Sequence, residues 1–166
     1  MTEYADVEPT EGTIAQSYEY ILDIAKKPVG AAAPTYVNVP DITALNPQFP
    51  AQLQAITTYA HKGKERQTKI SSNATLGFNI LKVRDNVGEF QPEWLILKEA
   101  SDADGSDNEI LVRWYDALGA SDAYEGTFLV QRDGRPETGS QGPGWDAFTL
   151  TGAGNVKPIA NPIAGS

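Results

Sequence analysis

The chain has 166 residues, 40% of them hydrophobic, no cysteine and a formal net charge of -9. That length supports one domain with a real core, and the lack of cysteine excludes a disulfide framework or a thiolate metal site. The negative charge argues against wrapping a nucleic-acid backbone, which needs a basic footprint. No apolar run approaches the roughly 18 residues of a membrane span.

The charge is unevenly spread. Residues 1–15 hold Glu3, Asp6, Glu8 and Glu11 without a base, and Pro9 and Gly12 interrupt them. They read as a flexible acidic arm. The start lacks the basic and apolar stretches of a signal peptide, so export by the usual route is not expected. SYEYILDIA (17–25) is the first strand, with Tyr18, Tyr20 and Leu22 on one face, and residues 36–41 alternate as a second. Residues 46–72 carry no clean period and read as a long loop, with a helical or hairpin patch near Leu53–Tyr59. A loop of that length in a small domain is usually functional or disordered.

From Asn73 the pattern sharpens. NATLGFNILKVRD sets Leu76, Phe78 and Ile80 on one strand face. A helix over about 91–100 follows: Pro92 fits the first turn, Glu93 suits the positive helix end, and Phe90, Trp94 and Leu97 share a face. EILVRWYDA (109–117) and DAYEGTFLVQR (122–132) are the best strands, joined by a turn at Leu118–Ser121. DGRPETGSQGPG is turn chemistry throughout. WDAFTLTG (145–152) is the last strand, with Trp145 and Ala147 opposite Phe148 and Leu150. The sum is a mainly β, antiparallel sandwich or small barrel with one flanking helix, a long loop and extended terminal arms. It spans residues 16–154 as one domain, and residues 155–166, with Pro158 and Pro162, form an extended arm.

Few residues invite chemistry. His61, the only histidine, reads as a solvated side chain in a polar loop. SDADGSDNE (101–109) offers Asp102, Asp104, Asp107 and Glu109 for calcium, but Asp107 and Arg113 occupy the positions where an EF-hand needs glycine and glutamate. TGAGNVKP lacks the Lys-Ser/Thr pair of a phosphate loop, and Pro158 blocks a following helix. Glu125 and Asp146 are the kind of carboxylate pair any acidic β-protein offers. No nucleophile–base arrangement, metal site or cofactor site is expected, and an enzyme is the remotest reading. The basic island 61–69, with Lys62, Lys64, Arg66 and Lys69 against Glu65, stands out in an acidic protein. It reads either as a solvated loop or as a docking element for an acidic surface.

The order of elements carries a resemblance. KVRD closing a strand, the helix FQPEWLILKEASDA, then EILVRWYDA, a short turn, DAYEGTFLVQ, a glycine-rich turn and DAFTLTGAGNVKPIANP together resemble the major tail tube proteins of long-tailed, non-contractile bacteriophages. Trp94, Trp114, Tyr115, Tyr124, Gly126 and Phe148 lie in these motifs, the aromatics at core spacing. The match covers about residues 73–162 and extends by element order to Tyr18.

The resemblance implies hexameric rings stacked into a hollow tube around a tape-measure protein, between tail-tip and terminator proteins. Genomic DNA would cross the lumen without specific binding, and the subunit would enter no membrane. It would reside in the virion tail after assembly in the host cytoplasm. Lys62, Lys64, Arg66 and Lys69 would then contact an adjacent ring, with acids of 99–109 as partners, and residues 1–15 would order between rings. Val156, Ile159 and Ile163 would hold the C-terminal arm to its own domain or a neighbour. The rivals are the inner tube of a contractile tail or secretion system, and a monomeric decoration or binding module of a virion.

Overall fold

The computed structural model describes residues 10–136 and 139–164. Its elements run β1 (Tyr20–Lys26), β2 (Val37–Asn38), β3 (Ile42–Gln48), β4 (Ala51–Ala55), β5 (Gln67–Ser72), β6 (Thr75–Leu81), α1 (Pro92–Asp102), β7 (Glu109–Asp116), β8 (Ala123–Gly134), β9 (Trp145–Gly152) and β10 (Lys157–Pro158). The strands pair antiparallel in the order β2-β1-β7-β8-β9-β6-β3, with β10 added to β8. The two ends of that path, β2 and β3, are neighbours in sequence. No pairing joins β2 to β3 among the described residues, but the chain passing directly from one to the other brings the two ends of the sheet together.

Pro40 makes this corner. Val39 still donates to the Leu22 carbonyl at 2.9 Å, but proline has no N–H to continue the ladder. Asp41 then accepts from Leu81 on the far side at 2.8 Å, and β3 joins β6. The second turn of the wall lies within β8. Its residues Ala123–Leu129 pair with β7, while Phe128–Gly134 pair with β9. A bulge between Arg132 and Gly134, with Gly134 at φ 91°, ends the strand's regular register.

The core faces inward from both halves. Leu22 and Ile24 come from β1, Ile110, Val112 and Trp114 from β7, Phe128 and Val130 from β8, Phe148 and Leu150 from β9, and Leu76, Phe78 and Ile80 from β6. The period-2 patterns of β6 and β9 thus bury the faces their sequences mark. The first strand starts later than the sequence suggests: Tyr18 lies outside it and is exposed. Helix α1 closes one end, burying Trp94, Leu97 and Ala100, with Phe90 packed beside Trp94. Asn108 fastens its exit, donating to the Ala100 carbonyl at 2.7 Å and the Val130 carbonyl at 3.0 Å.

The segment read as a long loop is instead a ribbon. β3–β4 and β5–β6 run as two long antiparallel strands, broken at Phe49–Pro50 and Asn73–Ala74, with register shifts between Thr43 and Asn46 and between Gln52 and Leu53. The Asn73 N–H still donates to the Pro50 carbonyl across the break, at 3.3 Å. The sequence hides this because every residue of β4 and β5 is exposed. A strand with no buried face shows no hydrophobic alternation of the usual strength.

Candidate assembly surfaces

The β4–β5 hairpin projects from the barrel wall. At its root Phe49, itself exposed, sets its ring 4.8 Å from Tyr124 and 6.2 Å from Trp114. Beyond the root, cross-strand pairing places Ala51, Leu53 and Ala55 on one face and Gln52, Gln54, Thr68 and Ser71 on the other. Leu53, Ile56, Tyr59 and Ile70 are all exposed. A two-stranded hairpin alone is marginally stable in water, so this one holds apolar side chains in solvent with little support.

Its tip is built locally. Thr57 Oγ1 accepts from the Arg66 N–H at 2.9 Å, and Ile56 donates to the Arg66 carbonyl at 2.9 Å. His61 belongs to a single 3-10 turn (Tyr59–His61), and its Nδ1 accepts from the Thr58 N–H at 2.8 Å. His61 therefore helps shape the tip through this bond. Lys62 at φ 52° and Gly63 at φ 83° reverse the chain.

Lys62, Lys64, Arg66 and Lys69 all lie on this hairpin, and none joins an ion pair among the described residues. Elsewhere cations find carboxylates readily. Lys26 meets Glu99 at 2.9 Å, Lys27 meets Glu109 at 2.6 Å and Lys98 meets Asp102 at 2.8 Å. The Lys98 hydrogen bond holds Asp102 below the usual carboxylate range. The acidic stretch 99–109 is thus largely neutralised within its own chain, with Asp104 and Asp107 left outside those pairs.

Val156, Ile159 and Ile163 lie in a strap over residues 153–164 that folds back on its own domain. β10 pairs Lys157 with Glu125 and Pro158 with Tyr124. Ile159 donates to the Ala123 carbonyl at 3.0 Å. Gly126 is required here: a Cβ on it would lie 2.7 Å from Val156 Cα. Asn161 is buried and donates to the carbonyls of Asp116 at 2.9 Å and Ala120 at 2.7 Å. Of the motif residues, Trp94, Trp114 and Phe148 are in the core and Tyr124 packs against it. Tyr115 is buried on the opposite face, where its hydroxyl donates to Asp23 at 3.1 Å.

Two of the buried carboxylates, Asp23 and Asp146, sit within strands. Asp23, 5% exposed, accepts from Arg113 Nε at 2.9 Å, Tyr115 at 3.1 Å and Asn38 at 3.1 Å. The Arg113 guanidinium also lies 4.1 Å from the Tyr36 ring centre. Asp146, fully buried, accepts from the Trp94 indole at 2.9 Å and pairs with Arg132 at 2.8 Å. A charge set inside an apolar alternation, as in ILDIA, LVRWY and WDAF, is the signal for both. Glu125 and Asp146 are engaged separately, by Lys157 and Arg132. Among the described residues no group of three or more His, Asp or Glu gathers as metal ligands. Of the acidic N-terminal arm, residues 1–9 lie outside the described residues and 10–15 form neither helix nor strand. The last two arm residues, 165–166, also lie outside them.

No protein-family model matches the sequence, and no curated protein matches it. The fold is similar to a chain in the cryo-EM structure of the anti-feeding prophage (AFP) baseplate, 6-fold symmetrised. The TM-score is 0.56 at 10% sequence identity, over 92% of this chain and 100% of that one. At that identity the likeness concerns the fold.

Proposed function

We propose that the chain is a structural, non-enzymatic subunit of a phage-type tail, in which six copies close into a ring and rings stack into a hollow tube. The observation that carries this reading is the β4–β5 hairpin of an acidic protein, with its exposed apolar side chains and four cations that join no ion pair among the described residues. Such a segment gains most when a second copy covers it, because complementary charge registers the contact while burial supplies the stabilisation. Repetition of that contact from ring to ring is open-ended, which gives a filament. The family resemblance of residues 73–162 and the fold shared with a chain of a six-fold symmetrised baseplate support the same geometry.

In the tube the acidic excess serves passage: carboxylates on a lumen wall repel phosphate, so DNA slides without sticking. The tape-measure, tail-tip and terminator proteins are the other partners, and the virion tail is the location. A second reading is favoured by the source of the fold likeness: a ring at the baseplate end rather than in the tube shaft. Electron microscopy of the purified full chain at high concentration, and of the parent particle with the chain labelled, tests both. Label along the tail supports the tube, and label only at its end supports the baseplate ring. Label on the capsid would overturn both and favour a decoration module.

A further inference from the structure

Over Ala123–Thr127, β8 would be an edge strand, because β9 takes up its second side only from Phe128. An open edge is a template for unwanted pairing. The strap fills it. Ala153 donates to the Thr127 carbonyl at 2.9 Å, and Asn155 brackets Thr127 by accepting from its N–H at 2.8 Å and donating to its hydroxyl at 3.0 Å. Val156 then seats over Gly126, Lys157 stands opposite Glu125, and Asn161 plugs the carbonyls at Asp116 and Ala120.

These features select what the edge can accept. Two β8 edges pairing antiparallel about their midpoint would set Glu125 against Glu125, which is unfavourable. Gly126, lacking a Cβ, lets a strand come as close as the Val156 backbone does, where a side chain on residue 126 would collide. The sequence Asn155–Asn161 meets every requirement, and any copy of this chain carries it. The link back to β9 is short and holds Gly154 at φ 96°, a conformation suited to a hinge.

We infer that the β8 edge is a strand-acceptor groove and that the strap of a second copy can take the place of the chain's own. Exchange reproduces each contact between copies and changes only the hinge, which is the condition for a swapped assembly. This holds for a swapped dimer as well as for a tube, so it stands apart from the proposed function.

The chain has no cysteine, so engineered ones report cleanly. A Glu125→Cys/Lys157→Cys double variant should oxidise to an intramolecular disulfide in dilute solution, because those residues are direct cross-strand partners. Glu125→Cys chains mixed with Lys157→Cys chains at high concentration should form a disulfide-linked dimer on a non-reducing gel. The yield should be several-fold above a control mixture of Glu125→Cys with Val87→Cys. If the double variant closes but the mixture stays at the control level, exchange does not occur. If the double variant fails to close while folded by circular dichroism, the strap is not in the groove and the inference also fails.

Discussion

Two segments extend the barrel wall, and they behave in opposite ways. The β4–β5 hairpin continues its parent strands outward into solvent, whereas the strap turns back and covers an edge of the same chain. The hairpin has exposed apolar side chains and cations that join no ion pair among the described residues; the strap has a seated valine, a buried asparagine and a salt-bridge partner for its lysine. What separates them is whether the chain supplies partners for its own groups. The strap's groups are partnered within the fold, whereas the hairpin's apolar side chains face solvent.

Damage to the strap should therefore cost stability that damage to the hairpin does not. The largest effect is expected for Gly126→Val, which drives a side chain into the Val156 backbone. Overpacking of this kind costs about 1–3 kcal/mol, and loss of the strap adds to it; urea denaturation should show the midpoint falling. Deleting residues 155–166 should lower stability for the same reason. The sequence alone leaves the arm held to its own domain or to a neighbour, and this deletion separates the two. Next is Asn161→Ala, which strands the Asp116 and Ala120 carbonyls and should cost about 1–3 kcal/mol by the same assay.

The hairpin should behave otherwise. Reversing Lys62, Lys64 and Arg66 to glutamate should move monomer stability by less than about 0.5 kcal/mol while impairing ring stacking under electron microscopy. Normal tubes from that variant would remove the hairpin from the assembly contact.

The smallest effect concerns alkaline pH. The hydrogen bond to Asp122, followed by burial, raises the Tyr20 hydroxyl from 10.0 to about 12. A raised folded-state value contributes stability that is complete below pH 10 and lost as pH climbs toward 12. Tyr20→Phe should flatten part of that loss in denaturation midpoints across this window. A residual slope should remain, since burial also raises Tyr36 and Tyr115.

The barrel is legible in the sequence where one face of a strand is buried. Leu76, Phe78 and Ile80, or Phe148 and Leu150, announce their faces because polar residues alternate with them. The hairpin is not legible, since both faces of AQLQA and QTKISS meet water and no burial pattern marks their pairing. The strap is half legible: prolines mark it as extended, but only the close approach at Gly126 reveals which groove it fills. The basic island can be located by counting charges. That its cations join no ion pair among the described residues is visible only in the folded chain, where Lys26, Lys27 and Lys98 do.

Cryo-electron microscopy of assemblies formed by the full chain tests the central claim most directly. Stacked six-fold rings are expected, with each hairpin covered by a copy in the adjacent ring and its cations facing carboxylates. Ordered assemblies in which the hairpins still project unaccompanied into solvent would contradict it.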